Sequence, residues 1–204
     1  AANGIAHEGA HDAVADVRAT IALARLLRQR NARLFDHLLQ LRNKREVAKY
    51  LDIPGRKPVL HVSRRYPASR ACSALVMPLA EHPTNPNGVI VYDLSVDPGA
   101  LLELDAEQIR QRVFVSSDDL AEGETRIPLK VIHVNRSPVV LPAAALKDVE
   151  GPRKGEYGEI VERLGLDLAA CRANWKRLAT SPEVARKVSE VFAQAPPDGP
   201  HDPD

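Results

Sequence analysis

His82-Pro83-Thr84-Asn85-Pro86-Asn87-Gly88-Val89-Ile90-Val91-Tyr92-Asp93-Leu94 decides how the middle of this chain folds. Residues 82–87 are strong turn chemistry, because proline pre-sets φ and asparagine hydrogen-bonds its own backbone. Residues 88–94 then form the clearest extended run in the sequence. Two similar runs precede it, Pro58-Val59-Leu60-His61-Val62-Ser63 and Ser73 to Leu79. Two follow it, Ile127 to Val134 and Pro138 to Leu141, on either side of an Asn135-Arg136 turn. About five short strands at this spacing suit a small barrel or sandwich. A helix is predicted over Asp105 to Phe114, with Leu104, Ile109 and Val113 as its apolar side.

Outside the strands the periodicity is helical. Val14, Val17, Ile21 and Ala24 recur at 3–4–3 spacing with Asp16, Arg18 and Arg25 between them, which predicts a helix over 12–30 with one buried stripe. A second helical run carries Leu34, Leu38 and Leu41 on one face, with Phe35 and Leu39 beside it. Arg42, Lys44 and Arg45 then lead into Val47, Tyr50 and Leu51, and Ile53-Pro54-Gly55 stops the run. Helices are predicted again over Tyr157 to Leu164, Asp167 to Leu178 and Glu183 to Ala193, the last with Pro182 at its first position. The order is helices, small β domain, helices, which makes an α+β chain without an internal repeat.

Composition sets the outer limits. An apolar fraction of 44% and a charged fraction of 27% are those of an ordinary globular protein. The net charge of +1 gives no global field for nucleic acid, so any such binding comes from local patches. Aromatics at 4% are too few for base stacking to be the main binding device. Cys72 and Cys171 lack metal-ligand spacing and read as free thiols of a reducing cytoplasm. No apolar run approaches the ~20 residues of a membrane span, and no charged-then-apolar signal opens the chain. The chain starts at Ala1 rather than Met and closes on the linker-like 195–204, so both ends are expected to be cuts, with a further domain downstream.

His11-Asp12-Ala13-Val14-Ala15-Asp16-Val17-Arg18-Ala19-Thr20 carries the candidate chemistry. Two-metal phosphodiester cleavage needs acidic ligands for a pair of Mg²⁺ or Mn²⁺ ions and a base for the attacking water. Histidine titrates near neutrality and suits the base, and aspartate offers a hard oxygen ligand. Five positions apart inside one regular helix, the two side chains would diverge by about 140°. They converge only if His11 sits at or just before the helix start while Asp16 projects from the next turn. The plainer reading has Asp12 capping the helix and Asp16 on a solvated face.

The stretch from Ala10 to Ala24 closely resembles the third exonuclease motif of the bacterial exonuclease I family, within the histidine-containing DEDD superfamily of 3′→5′ exonucleases. The likeness continues through Arg33-Leu34-Phe35-Asp36 with Arg42-Asn43-Lys44, Lys57 to Ser63, His82-Pro83 with Asn85 and Asn87, Leu101 to Asp105, Pro128 to Asn135, and Leu164 to Asp167. The resemblance implies that residues 1–30 are the C-terminal end of a ribonuclease-H-like exonuclease domain. Residues 31–194 would be the family's SH3-like domain with flanking helices, and 195–204 a linker. It further implies Asp16 as a metal ligand and His11 as general base. The first motif (Asp-x-Glu) and the second acidic motif would lie upstream of Ala1. This polypeptide alone is therefore expected to be inactive, although its parent would hydrolyse single-stranded DNA to nucleoside 5′-monophosphates in repair and recombination. The alternative is a non-catalytic module that binds single-stranded DNA or its binding protein.

Two secondary sites are nominated. By resemblance, His37, Lys57 and Lys147 are positions on a basic ridge that pairs the acidic C-terminal tail of single-stranded-DNA-binding protein. His37 stands where an aromatic is expected, and Pro142 replaces a polar contact. The second is the loop with Arg64, Arg65 and Arg70, which suits a phosphate-tracking role with Tyr66 as a stacking group. The same residues also suit a solvated ridge and a solubilising loop. His61 and His133 read as buried or structural histidines rather than ligands, Trp175 reads as core, and the protein reads as a monomer.

Overall fold

The computed structural model describes residues 13–115, 119–147 and 158–195. His11 and most of the linker-like 195–204 lie outside them. The chain divides into two compact units, Ala1–Arg42 and Asn43–Asp204.

The first unit holds helices α1 (Ala13–Arg30) and α2 (Ala32–Gln40), packed on each other. Asn31 separates them, and its Oδ1 accepts the Leu34 N–H at 3.0 Å to cap α2. The helix expected over 12–30 is present, but its apolar stripe is not buried. Val14, Val17 and Ile21 are 54%, 57% and 45% exposed. Periodicity marks the face a helix can bury and says nothing of what covers it. Among the described residues of its unit α1 has nine-residue α2 beside it, too short to cover an 18-residue helix. The unit extends to Arg42, with α2 packed on α1.

The second unit begins with helix α3 (Lys44–Tyr50), whose N-cap Asn43 accepts the Arg45 N–H at 3.0 Å. All five extended runs are strands: β1 (Val59–Val62), β2 (Ser73–Glu81), β3 (Gly88–Asp93), β4 (Leu129–His133) and β5 (Val139–Pro142). Helices α4 (Gly99–Glu103), α5 (Ala106–Val113), α6 (Glu159–Arg163), α7 (Leu168–Ala179) and α8 (Val184–Ala193) complete it. One turn of helix at α4 is too short to leave a periodic signal in the sequence. Helix α8 starts at Val184, two residues after Pro182.

The strands form one antiparallel sheet in the order β4-β3-β2-β1-β5. The 82–87 motif makes the β2–β3 hairpin. His82 Nδ1 accepts the N–H groups of Thr84 and Asn85 at 3.3 and 3.2 Å, and Asn85 Oδ1 accepts that of Asn87 at 3.0 Å. A side chain at Gly88 would meet the His82 Cβ at 2.8 Å, so glycine is required there.

β4 and β5 are consecutive in sequence yet occupy opposite edges. In a flat sheet those edges lie about 19 Å apart. The connection cannot reach that far, because it turns: the Arg136 N–H donates to His133 O at 3.1 Å, and Ser137 takes φ 49°. The sheet therefore curls until its edges approach. Lys130 of β4 accordingly lies 5.6 Å over the ring of Tyr66, just past β1.

Curling buries both faces. The convex face presents Leu60, Leu75, Met77, Ile90, Tyr92 and Val131 to the helices, meeting Leu101, Ile109, Leu178, Val188 and Phe192. The register places Val59, His61, Ala74, Val76, Val91, Lys130, Ile132 and Val140 on the concave face, all buried. A register shift between Pro78 and Ala80 places the proline, which lacks an N–H, at an irregularity and turns both Leu79 and Ala80 to the helical side.

Polar side chains fasten the helical layer. Asn174 Nδ2 donates to Leu94 O and Val96 O at 2.9 and 3.0 Å, and Lys187 Nζ donates to Leu102 O and Leu104 O, each at 2.8 Å, at the end of α4. Arg56 donates from one guanidinium nitrogen to Leu178 O, Ala179 O and Ser181 O at 2.9, 3.0 and 3.2 Å, where cationic charge suits the α7 carboxyl end. Its own carbonyl accepts the Trp175 indole N–H at 2.8 Å, so Trp175 is a packed and anchored residue, as expected. Arg56→Ala should lower unfolding free energy by about 2 kcal/mol, with Arg56→Lys recovering part of it. Urea denaturation measures this, and an unchanged midpoint in Arg56→Ala would remove the clamp from the account.

Candidate nucleic-acid interface

The β1–β2 connection, residues 63–72, is the best-built candidate. Its ends are tied by the Ser63 N–H donating to Cys72 O at 2.8 Å, and the Cys72 N–H returns to Pro67 O at 3.1 Å. A 3-10 turn at Ala68–Arg70 leads into Ala71 and Cys72, both left-handed with φ 48° and 53°. Arg64 and Arg65 are exposed. Tyr66 and Arg70 turn inward instead.

The Tyr66 hydroxyl shares a 3.0 Å hydrogen bond with His61 Nδ1, and the two rings meet edge-on with centroids 5.5 Å apart. Lys130 covers a face of the same ring. The Arg70 guanidinium donates to Ser95 Oγ at 2.7 Å and lies 3.4 Å from the buried carboxylate of Asp93. The four residues nominated from sequence thus divide into an outward arginine pair and two inward anchors. Arg70 is committed to an internal ion pair rather than standing free for phosphate, and Tyr66 is wedged between His61 and Lys130 rather than open for stacking.

His61 is 2% exposed, and burial, aided by the Lys130 charge, pushes its pKa down to about 3. It is a neutral structural histidine, as expected. His133 is half-buried and lies 3.4 Å from Asn85 Nδ2 through its Nδ1. Both cysteines are free thiols, and burial pushes Cys171 up to about 11.

Asp16 is exposed in the first turn of α1. Among the described residues no three His, Cys, Asp or Glu side chains gather, so those residues do not by themselves make a metal centre. Of the ridge candidates, His37 is on α2 in the first unit. Lys57 and Lys147 are exposed in the second and belong to the same end of the β1–β5 ladder, where Val59 pairs with Pro142. Lys57 lies 3.8 Å from the half-buried Asp52, and its own exposed side chain leaves the charge accessible.

Residues 42–194 match the family described as Exonuclease I SH3-like domain. The chain belongs to that family. Exodeoxyribonuclease I of Escherichia coli K12 is 42% identical over 201 residues, covering 98% of this chain and 40% of the relative. The crystal structure of E. coli Exonuclease I in complex with a dA16 oligonucleotide matches with a TM-score of 0.85 at 41% identity, over 98% of this chain and 41% of that one. The zinc ion bound form of the E. coli ExoI–ssDNA complex matches with a TM-score of 0.83 at 40% identity, over 95% and 40%. The chain spans about two fifths of the length of these relatives.

Sequence reading of this Exonuclease I SH3-like unit missed Lys130, Asp93 and Ser95, which hold Tyr66 and Arg70. Lys130 left one signal: it shares strand parity with Ile132, so a charge lies on an inward-facing row. Because folding lowers the His61 pKa below its ordinary 6.5, this residue's stabilising contribution is complete above pH 6.5 and is lost as pH falls towards 3. Urea unfolding of the wild type should weaken by about 1 kcal/mol per pH unit between pH 6 and pH 5 through this group. His61→Gln should flatten that slope, and an equal slope in both proteins would contradict the assignment.

Proposed function

We propose that this chain works as part of a single-strand-specific 3′→5′ exodeoxyribonuclease that releases nucleoside 5′-monophosphates by two-metal hydrolysis, in the cytoplasm and in the service of DNA repair and recombination. The observation that carries the reading is the 42% identity to E. coli Exodeoxyribonuclease I over almost the whole chain. In this reading Asp16 contributes one carboxylate to a Mg²⁺ or Mn²⁺ pair and His11 is the general base. The zinc ion bound form among the E. coli structures supports a divalent metal for the family. Among the described residues no group of three possible ligands forms around Asp16, so the 204-residue chain alone should be inactive. Mg²⁺-dependent release of mononucleotides by the purified chain would overturn that assignment.

The second unit contributes DNA binding through Arg64 and Arg65. Their exposure on an anchored loop, and the oligonucleotide complexes of the E. coli relative, support this. A non-catalytic binding module is the second reading, favoured by the family match falling on the SH3-like domain. In both, the chain should bind a labelled dA16 strand more tightly than a duplex, with affinity falling as salt rises. Equal affinity for both forms would count against single-strand specificity.

His37, Lys57 and Lys147 are assigned to the acidic tail of single-stranded-DNA-binding protein, met by a monomer. Lys57→Ala with Lys147→Ala should weaken a tail peptide by about tenfold in calorimetry, and less at high salt. Unchanged peptide affinity would remove both lysines from the ridge.

A further inference from the structure

The 63–72 loop is held by more polar machinery than its length demands. Two inward side chains four positions apart, Tyr66 and Arg70, reach different partners in the fold: His61 with Lys130, and Asp93 with Ser95. His61 and Asp93 are 2% and 5% exposed, so these groups are taken out of water to make the contacts. Buried ionic and polar contacts of this kind are seldom a better source of stability than apolar packing of the same shape. Their distinctive effect is to select one geometry. The two tied loop ends and the left-handed pair Ala71 and Cys72 act in the same direction, leaving little freedom between the anchors.

We propose that Tyr66 and Arg70 are positioning residues, anchored by His61, Lys130, Asp93 and Ser95, that hold Arg64 and Arg65 in a fixed array for the phosphates of a single nucleic-acid strand. The proposal rests on the reading that Arg64 and Arg65 bind DNA, and it supplies the means. An arginine whose backbone is already held loses less chain freedom on meeting a phosphate. With so few basic residues in the loop, that saving weighs heavily in the affinity.

The test is a double-mutant cycle on the full 204-residue chain, with binding of a labelled dA16 strand read by fluorescence anisotropy across a salt series. Arg64→Ala with Arg65→Ala should lower the salt slope by about 1.4, the value for two single-strand phosphate contacts. Tyr66→Phe keeps the ring and deletes the hydroxyl, and should weaken binding about fivefold in the wild-type background. In the double-alanine background Tyr66→Phe should have no further effect. Arg70→Gln, which can still donate to Ser95, should repeat this pattern. Without DNA, the amides of Tyr66, Ala71 and Cys72 should exchange faster in both anchor variants, while thermal unfolding stays cooperative.

An anchor variant that weakens binding equally in both backgrounds would overturn the positioning role, because the residue would then act independently of the arginines. Unchanged binding by an anchor variant would overturn it too. An unchanged salt slope in the double-alanine variant would instead reject the arginines as DNA contacts, and the proposal with them. Faster loop exchange alongside that result would locate the failure in the DNA reading rather than in the anchoring.

Discussion

The tight link between His133 and Val139 is the constraint on which the second unit depends. Joining strands at opposite sheet edges through a turned connection leaves a five-stranded antiparallel sheet no flat solution. Antiparallel sheets commonly keep one face in water. This one curls instead, and a covered concave face follows. Its residues are mostly small or β-branched: Val59, Ala74, Val76, Val91 and Val140. The longer side chains Leu60, Met77, Ile90 and Tyr92 spread over the convex face under the helices. Ser73 to Ala80 is buried at every position because β2 is the central strand and is covered on both sides.

The same curl explains why polar groups end up inside. Bringing the edges together sets β4 near the β1–β2 loop, so Lys130 meets Tyr66 and His61 although its strand is three places from β1 in the sheet. A lysine so enclosed needs compensation. It gains a ring face, and it raises the cost of a second positive charge on His61. Asp93 resolves the converse problem: its carboxylate accepts from the Ser95 N–H and Oγ at 2.9 and 2.7 Å and lies beside Arg70. Fold closure and loop geometry are in this way one arrangement, since the residues that fill the mouth of the curled sheet also hold the loop above it.

What could be read from the sequence follows the range of each interaction. Strand runs, the Asp105 and Asp167 helix starts and the 82–87 turn were legible because they depend on neighbours. Asp105 and Gln108, for instance, exchange side-chain-to-backbone bonds within one turn of α5. The separation of β4 from β5 was not legible, because alternation describes faces and not partners. Arg70 looked like Arg64 and Arg65 for the same reason: what distinguishes it is Asp93, 23 residues away. The stripe on α1 was legible as a pattern, but its expected burial was not observed.

That exposed stripe bears on how chemistry is divided between the two units. An isolated helix of this length is marginal in water without tertiary packing, and α1 buries none of its residues. A catalytic ligand needs its position fixed to within about 0.5 Å, and Asp16, proposed as one, sits in the first turn of this least supported element. The second unit is the opposite case, with both sheet faces covered and a loop anchored at two points. In the proposed function, metal chemistry would therefore need support for α1 that the described residues do not supply, whereas the 63–72 loop proposed to meet a strand is anchored within the second unit.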